Sequence, residues 1–290
     1  MGGYVGRFAP SPTGPLHAGS LVTAVVSYLQ ARMSGGQWLL RIEDIDPPRE
    51  QPGAATHIIA TLESYGFRWD GPIRFQSERL EHYRRQLDSI KQHTFWCQCS
   101  RRDIQDARRT AVLSHNGYPG TCRDAEATDG ALRFRLDRPQ DFDDLFVGSV
   151  RAARHSDDFV LWRRDDLPSY QWAVSVDDAE QGVTEVIRGE DLLSTTPRHI
   201  ATLAALGAPP PLYGHVPIVT NEQGQKLSKQ NGARALQPGK EKETLLHALT
   251  AIGIARETLL TADSINELWK IATANWRPEM LQPLHTIAAF

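Results

Sequence analysis

Apolar and polar positions alternate along the first third of the chain in the order strand, helix, strand, helix. A short apolar run around Val5 and Phe8 predicts a strand, whereas the apolar run of residues 21–33 is too long for a strand and predicts a buried helix. Residues 37–44 form a second predicted strand, which ends in acids. A second amphipathic helix follows and ends before Gly66. This order is typical of an α/β fold with a parallel sheet.

The loop between the first strand and the first helix is rich in proline and glycine, which no regular element tolerates. It therefore leads into a helix N-terminus, where free N–H groups and a partial charge of roughly +0.5 attract anions. His17 lies at the helix start and can donate to a phosphate. Gly14 and Gly19 lack a Cβ and let a ligand approach the backbone. An ordinary proline-rich loop is the alternative.

Composition sets the class of protein. With 290 residues, 40% of them hydrophobic and 23% charged, the chain is long enough for one large domain or two modest ones with a sizeable core. The net charge of −3 provides no global attraction to nucleic acid, so any RNA contact has to be local. No apolar run reaches the ~18 residues of a membrane span, and the first residues lack the features of a signal peptide. We therefore expect a cytoplasmic protein.

Three cysteines suggest a metal site. Cys97 and Cys99 are one residue apart and can grip one metal ion, and Cys122 follows in a turn-rich segment that can fold back. Three thiolates leave a tetrahedral zinc ion one ligand short. His115 is the chemically ordinary candidate for the fourth ligand, and the phenolate of Tyr118 is the unusual one. Three free, buried cysteines are the alternative.

Two charged groups lie at predicted strand ends. Glu43 can hold an ammonium group there, and Arg188 is costly to bury unless it meets an anion. Pairing of Arg188 with Glu190 or Asp191 is the alternative. The remaining pattern predicts a helix over 77–92, strands over 132–136, 145–150 and 159–162, a helix opened by Ser169, strands over 183–189 and 213–219, and two or three C-terminal helices.

Several stretches together resemble the signatures of class I aminoacyl-tRNA synthetases in their glutamyl-tRNA synthetase form. They are RFAPSPTG at 7–14, HAGS at 17–20, RIEDID at 41–46, the tyrosine motif at 170–178, VIRGEDL at 186–192 and KLSK at 226–229. The resemblance covers roughly residues 5–240. It implies a class I Rossmann-like α/β parallel sheet with a mixed α/β insertion and a small helical C-terminal region.

The same resemblance implies a domain plan and a set of site residues. The catalytic domain would comprise residues 1–94 and 181–237, with an acceptor-end-type insertion at 95–180 and a helical region at 238–290, and without an anticodon-binding domain. The implied catalytic residues are His17, Lys226 and Lys229, and ATP with Mg²⁺ would contact His17, Gly19 and Lys229. The implied glutamate ligands are Arg7, Ala9, Ser11, Glu43, Tyr170 and Arg188. Two arginines suit a dicarboxylate through bidentate contacts.

The chain is most similar to the shortened paralogues of these enzymes, the glutamyl-queuosine tRNA(Asp) synthetases, which share its cysteine pattern and its Lys-Leu-Ser-Lys-Gln-Asn sequence. That similarity implies a structural zinc ion on Cys97, Cys99, Tyr118 and Cys122. It also implies a monomer that activates L-glutamate with ATP and joins it to the queuosine base in the anticodon of tRNA(Asp). A truncated or discriminating glutamyl-tRNA synthetase that charges a tRNA 3′ end, and a catalytically silent paralogue that only binds an amino acid or RNA, are the alternatives.

Overall fold

The computed structural model describes residues 3–110, 117–152, 157–220, 235–282 and 286–288. In these ranges the strands are β1 (Val5–Phe8), β2 (Gln37–Ile42), β3 (Arg74–Phe75), β4 (Thr94–Cys97), β5 (Ala131–Phe134), β6 (Phe142–Asp144), β7 (Gly148–Val150), β8 (Phe159–Trp162), β9 (Glu185–Gly189), β10 (Leu212–Val216), β11 (Ile218–Thr220) and β12 (Thr286–Ala288). The helices are α1 (Ala18–Met33), α2 (Ala54–Ser64), α3 (Leu80–Gln86), α4 (Arg101–Thr110), α5 (Tyr170–Glu180), α6 (Thr196–Ala205), α7 (Glu241–Ala251), α8 (Arg256–Leu259) and α9 (Ile265–Asn275).

The predicted parallel α/β sheet is confirmed. Strands β1, β2 and β3 pair in parallel, and β9, β10 and β6 form a second parallel set with β7 antiparallel at its edge. The two sets adjoin where the Thr184 amide donates to the Val5 carbonyl at 2.9 Å. Helix α1 packs behind β1 and is apolar on nearly every side, which is why it is buried. The carboxyl ends of β1, β2, β9 and β10 therefore face one cleft, as in other open α/β sheets.

A separate antiparallel sheet lies largely within the segment predicted as an insertion. Strands β4, β5 and β8 pair in that order, with α4 following β4. Helix α5 leads back from this sheet to the parallel sheet, and Ser169 caps it by accepting from the Trp172 amide at 3.3 Å, as predicted. Helix α5 thus connects the two sheets and forms one wall of the cleft.

The carboxylate of Asp177 fastens helix α5 to the segment that follows β3. It is fully buried and accepts hydrogen bonds from Arg74 at 3.0 Å, Gln76 at 2.9 Å, Arg79 at 3.0 Å and Tyr83 at 2.7 Å. Residues 77–92, predicted as one helix, instead form α3 between two 3-10 turns. This network holds the first of those turns and the start of α3 against helix α5.

The C-terminal helices pack against the back of the catalytic sheet. Trp276 donates to the Gln30 side chain at 2.8 Å, and Trp269 donates to the Tyr65 carbonyl at 2.9 Å while its ring lies 4.7 Å from that of Tyr28. These helices share one hydrophobic core with α1, α2 and β2. Helix α1 is therefore held from the sheet side and from the C-terminal side. No helix in the described ranges is long and apolar enough to cross a bilayer.

Two predicted strands are broken in the structure. The strand predicted over 213–219 is two strands, β10 and β11, separated by Pro217, which cannot donate to a sheet ladder. The strand predicted over 145–150 is a turn followed by β7, because the Asp144 carboxylate accepts from the amides of Phe146 and Val147 and bends the chain there. Pro217 itself lines the cleft.

Candidate active site

The first loop and the start of α1 form the floor of the cleft. His17 is the N-terminal capping residue of α1, and its Nδ1 accepts from the Ser20 amide at 3.3 Å. Gly14 has a φ of 130°, which favours glycine, and a Cβ on Gly19 would lie only 3.1 Å from the His17 ring. The two glycines therefore allow the sharp turn and the folded position of the histidine, as an anion site at this helix end requires.

The six residues predicted to bind glutamate all line one cleft of about 560 Å³. Ala9 and Ser11 come from the first loop, Glu43 follows β2, and Tyr170 opens α5. His17 and Gly19 line the same cleft, which has room for a nucleotide beside an amino acid. The structure thus brings together every predicted amino-acid and phosphate residue that it describes. Lys226, Lys229 and His115 lie outside the described residues.

The segment that carries those lysines is attached to the cleft at both ends. Val219 lines the cleft before it. After it, Ala235 forms an antiparallel bridge with His17, and the Leu236 amide donates to the Leu16 carbonyl at 3.0 Å. The structure therefore shows that the residues on either side of the lysine segment lie at the cleft.

The predicted glutamate ligand Arg7 is already paired within the protein. Its guanidinium makes two contacts of 3.3 Å with the carboxylate of Asp178, which also accepts from the fully buried Arg41 at 2.8 Å. Arg41 in turn lies 3.5 Å from Glu43. Burial raises the pKa of Glu43 to about 7, even though Arg41 and Arg7 favour its charged form. Glu43 is therefore a carboxylate poised to titrate near neutral pH.

Arg188 is in the opposite situation, because every partner it has in the described part of the chain is neutral. Its guanidinium donates to Thr196 at 2.7 Å, to the Leu192 carbonyl at 3.2 Å and to Tyr170 at 3.5 Å. No ion pair joins it to Glu190 or Asp191 in those ranges, so the pairing considered from the sequence is not observed. The Arg188 side chain is 96% buried and lines the cleft. A buried cation of this kind is complementary to an anion in the cleft.

Two buried histidines complete the surroundings of Arg188. His215 Nε2 accepts from Arg188 Nε at 3.1 Å, and His199 Nε2 lies 3.3 Å from Arg188 Nη1. Burial lowers the pKa of both imidazoles, and the charge of Arg188 lowers both further. Asp144 contacts the other nitrogen of His215 at 2.6 Å, yet burial outweighs its effect. Both histidines are therefore neutral acceptors at neutral pH.

The three cysteines and Tyr118 converge at one end of the antiparallel sheet. The three sulfur atoms lie within 4.8 Å of one another, with Cys99 and Cys122 at 3.4 Å. The Tyr118 oxygen lies 3.3 Å from Cys97 Sγ and 3.9 Å from Cys99 Sγ, and it accepts from the Cys122 amide at 2.8 Å. Thiolates around a tetrahedral zinc ion with bonds of about 2.3 Å lie ~3.8 Å apart. The three sulfur atoms could therefore hold a metal ion, and the Tyr118 oxygen lies beside them.

Sequence reasoning missed the buried polar groups behind the cleft. The motifs at 41–46 and 170–178 contain Arg41 and Asp178 but imply no role for them, and no sequence motif points to Asp144, His199 or His215. The available signal was a charged or imidazole side chain inside an apolar strand, as at Arg41 in β2 and His215 in β10. Such residues are buried only when they are hydrogen-bonded.

A family model for the catalytic domain of class I tRNA synthetases (E and Q) matches residues 4–277. The chain belongs to this family. The glutamyl-Q tRNA(Asp) synthetase of Vibrio parahaemolyticus is 44% identical over an alignment of 287 positions that covers 97% of this chain and 95% of that protein. The protein of the same name from Chromobacterium violaceum is 48% identical over an alignment of 281 positions that covers 94% of this chain and 93% of that protein.

Solved structures agree with this class I synthetase assignment. The crystal structure of a glutamate tRNA ligase from Elizabethkingia meningosepticum in complex with its amino acid superposes with a TM-score of 0.80 at 25% identity, over 99% of this chain and 68% of that chain. An arginyl tRNA synthetase from Campylobacter jejuni superposes with a TM-score of 0.51 at 12% identity and shows the fold alone. The class I fold expected from the sequence is confirmed.

Proposed function

We propose that this synthetase activates L-glutamate with ATP and transfers it to the queuosine base in the anticodon of tRNA(Asp), a cytoplasmic reaction of tRNA modification. Relatives that are 44% and 48% identical to this chain are named glutamyl-Q tRNA(Asp) synthetase, and they align with it over nearly their whole length. The observation in the structure that supports glutamate as substrate is Arg188, a buried cation in the cleft without a carboxylate partner among the described residues.

The geometry supports a division of labour between the cleft residues. Arg188 binds one carboxylate of glutamate, and Glu43 holds the ammonium group. The other carboxylate attacks the α-phosphorus of ATP, a P–O bond forms, and pyrophosphate leaves with the electron pair of the broken bond. A hydroxyl of the acceptor then attacks the activated carbonyl, and AMP leaves. Like other phosphoryl transfers, the first step depends on positioning and charge stabilisation more than on covalent help.

His17 and the N-terminus of α1 act on the phosphates of ATP, which carries Mg²⁺. The free amides of the helix end and the imidazole supply donors where charge develops in the transition state. Lys229 and Lys226, between the attachment points at Val219 and Ala235, neutralise the leaving pyrophosphate in this proposal. Glutamine is rejected because its neutral amide leaves the buried charge of Arg188 without an anion, and such sites discriminate by ~10⁴ or more.

Glutamate-dependent exchange of pyrophosphate into ATP tests the activation step. We expect exchange with glutamate and not with glutamine, and a loss of at least about 100-fold in Arg188→Gln, because an ion pair to a buried charge is removed. Arg198→Gln is the matched control, since Arg198 is already paired with Asp157 at 2.6 Å and 2.9 Å outside the cleft. No exchange in the wild-type protein refutes glutamate activation and supports a paralogue that only binds.

Labelled glutamate and two preparations of tRNA(Asp) test the acceptor. We expect label on tRNA(Asp) that contains queuosine and none on the same tRNA lacking it. Label on queuosine-free tRNA refutes the proposed acceptor and identifies an enzyme that charges the 3′ end. Persistent glutamyl-queuosine in nucleosides from a deletion strain also refutes the proposal.

We further propose that Cys97, Cys99, Tyr118 and Cys122 hold a structural zinc ion. The fit of the three sulfur atoms and the phenol oxygen to tetrahedral spacing supports it. Because the protein fills all four positions, the ion would stabilise the end of the antiparallel sheet and leave no open position for catalysis. Metal analysis of protein purified without chelators is expected to give one equivalent of zinc, and less than half an equivalent overturns the assignment.

A further inference from the structure

A chain of hydrogen bonds runs across three neighbouring strands behind the cleft. Asp144 ends β6, His215 lies in β10, and Arg188 lies in β9 directly beside His215. Asp144 Oδ2 contacts His215 Nδ1 at 2.6 Å, and His215 Nε2 contacts Arg188 Nε at 3.1 Å. All three side chains are at least 95% buried. The donors and acceptors of these three side chains are therefore set by neighbouring protein groups rather than by solvent.

The position of the proton on His215 follows from the two ends of this chain. Arg188 Nε always carries a hydrogen, so His215 Nε2 has to accept. The proton of the neutral ring is then on Nδ1, where it is donated to Asp144. The carboxylate is oriented in turn, because its Oδ1 accepts from the amides of Phe146 at 3.0 Å, Val147 at 3.1 Å and His215 at 3.1 Å.

We propose that Asp144 and His215 are positioning residues for glutamate, because Asp144 fixes the His215 tautomer that accepts from Arg188 and thereby aims the guanidinium into the cleft without neutralising it. The inference rests on the proposed activation of glutamate. A carboxylate in direct contact with Arg188 would also orient it, but it would compete with the substrate for the same charge. A neutral imidazole held by a more distant carboxylate orients the guanidinium and leaves its charge for glutamate.

Asp144→Asn tests this mechanism because it keeps the shape of the side chain and reverses one hydrogen bond. The three backbone amides hold the oxygen of the new amide at the Oδ1 position, which turns its NH₂ group towards His215 Nδ1. That nitrogen then has to accept, and its proton moves to Nε2, which can no longer accept from Arg188 Nε and can donate only to the Thr196 hydroxyl 3.1 Å away. We expect the KM for glutamate to rise at least about tenfold, the effect of a lost hydrogen bond to a charged group, with the KM for ATP changed less than about twofold.

Asp144→Asn introduced into a His215→Gln protein distinguishes an effect on the His215 tautomer from a general structural effect. His215→Gln retains a carbonyl acceptor for Arg188 but has no tautomer to switch, so we expect it to keep glutamate KM within about threefold. Adding Asp144→Asn to His215→Gln should change KM less than about twofold. Asp158→Asn is the matched control for loss of a buried carboxylate, since Asp158 accepts from Arg123 and Leu136 and contacts no histidine among the described residues. We expect it to leave glutamate KM unchanged.

Nitrogen-15 NMR of the imidazoles reads the tautomer without any need for activity. We expect the proton of His215 on Nδ1 in the wild-type protein and on Nε2 in Asp144→Asn. An unmoved proton, an unchanged glutamate KM, or an equal effect of Asp144→Asn in both backgrounds overturns the inference. If Asp144→Asn does not fold, the test becomes a comparison of His215→Gln, which keeps an acceptor for Arg188, with His215→Leu, which does not. Equal KM values for glutamate in these two variants overturn the inference. Absence of exchange in the wild-type protein refutes the proposed function instead, while NMR still reports on the tautomer.

Discussion

Arg7 and Asp178 form a two-point ion pair in the wall of the cleft, with both nitrogen–oxygen distances at 3.3 Å. Burial alone would raise the pKa of Asp178, but Arg7 and Arg41 lower it to about 2. The carboxylate therefore stays charged at neutral pH. Arg188, in the adjoining strand β9, has no carboxylate partner in the described part of the chain. Of the two arginines expected to bind glutamate, Arg7 is therefore neutralised by a carboxylate of the protein, whereas the charge of Arg188 remains available to a substrate carboxylate.

Asp178→Asn should destabilise the protein by about 3–5 kcal/mol, because it removes the carboxylate that pairs with buried Arg7 and the nearest of the carboxylates around buried Arg41. The folded-state pKa of Asp178 is depressed, so its contribution is present above the unfolded-state pKa and is lost as the pH falls towards 2. Urea unfolding should show the full difference at pH 7 and a smaller one at pH 3. Asp106→Asn, which breaks only exposed ion pairs, should unfold at the wild-type midpoint. Equal midpoints for Asp178→Asn and the wild type would contradict the prediction.

Glu43→Gln should remove a pH dependence of glutamate binding. The pKa of Glu43 is raised to about 7, and only its carboxylate form attracts an ammonium group, so wild-type KM should rise by about tenfold per pH unit below pH 7. The variant should have a higher KM at pH 8 and a flat profile from pH 5.5 to 8. Asp44→Asn is the control, because Asp44 accepts from Ser77 and should leave the profile unchanged. A flat wild-type profile would show that Glu43 does not bind the ammonium group.

Gly19→Ala should impair the use of ATP by displacing His17. The added Cβ would lie 3.1 Å from Cε1 and 3.2 Å from Nδ1 of the imidazole, which is closer than ordinary packing allows. We expect kcat/KM for ATP to fall by about tenfold or more, with folding preserved because alanine favours helices. His17→Ala alone and combined with Gly19→Ala provides the check. A further loss in the combined variant would show that Gly19 acts independently of His17.

Tyr118→Phe should weaken zinc binding, since it removes the proposed oxygen ligand and retains the ring. A zinc chelator added in steps should strip the metal from this variant at least about tenfold more readily than from the wild type. His115→Ala is the counterpart and should release zinc as the wild type does. The opposite result for the two variants would make His115 the fourth ligand and Tyr118 a neighbour.

The parts of the site that follow from local pattern were predictable, and those that depend on distant contacts were not. Proline and glycine in the first loop, and the polar residues at strand ends, indicated the cleft, because the carboxyl ends of parallel strands share one edge. The partner of Arg41 is 137 residues away and that of His215 is 71 residues away. Spacing along the chain carries no information about such pairs. The neutrality of the groups around Arg188 likewise required the folded structure.

Helix α5, which forms a wall of the cleft, is fastened from behind by Glu180, which pairs with Arg74 and Arg79, and above all by the carboxylate of Asp177. Four donors from residues 74–83 converge on that carboxylate, so the segment cannot separate from the helix without stranding a buried charge. The backbone amides of residues 170–180 and 74–83 should therefore exchange their hydrogens at similar slow rates, because the two segments open together as one cooperative unit. We therefore expect helix α5 and residues 74–83 to move as one block when substrate enters the cleft.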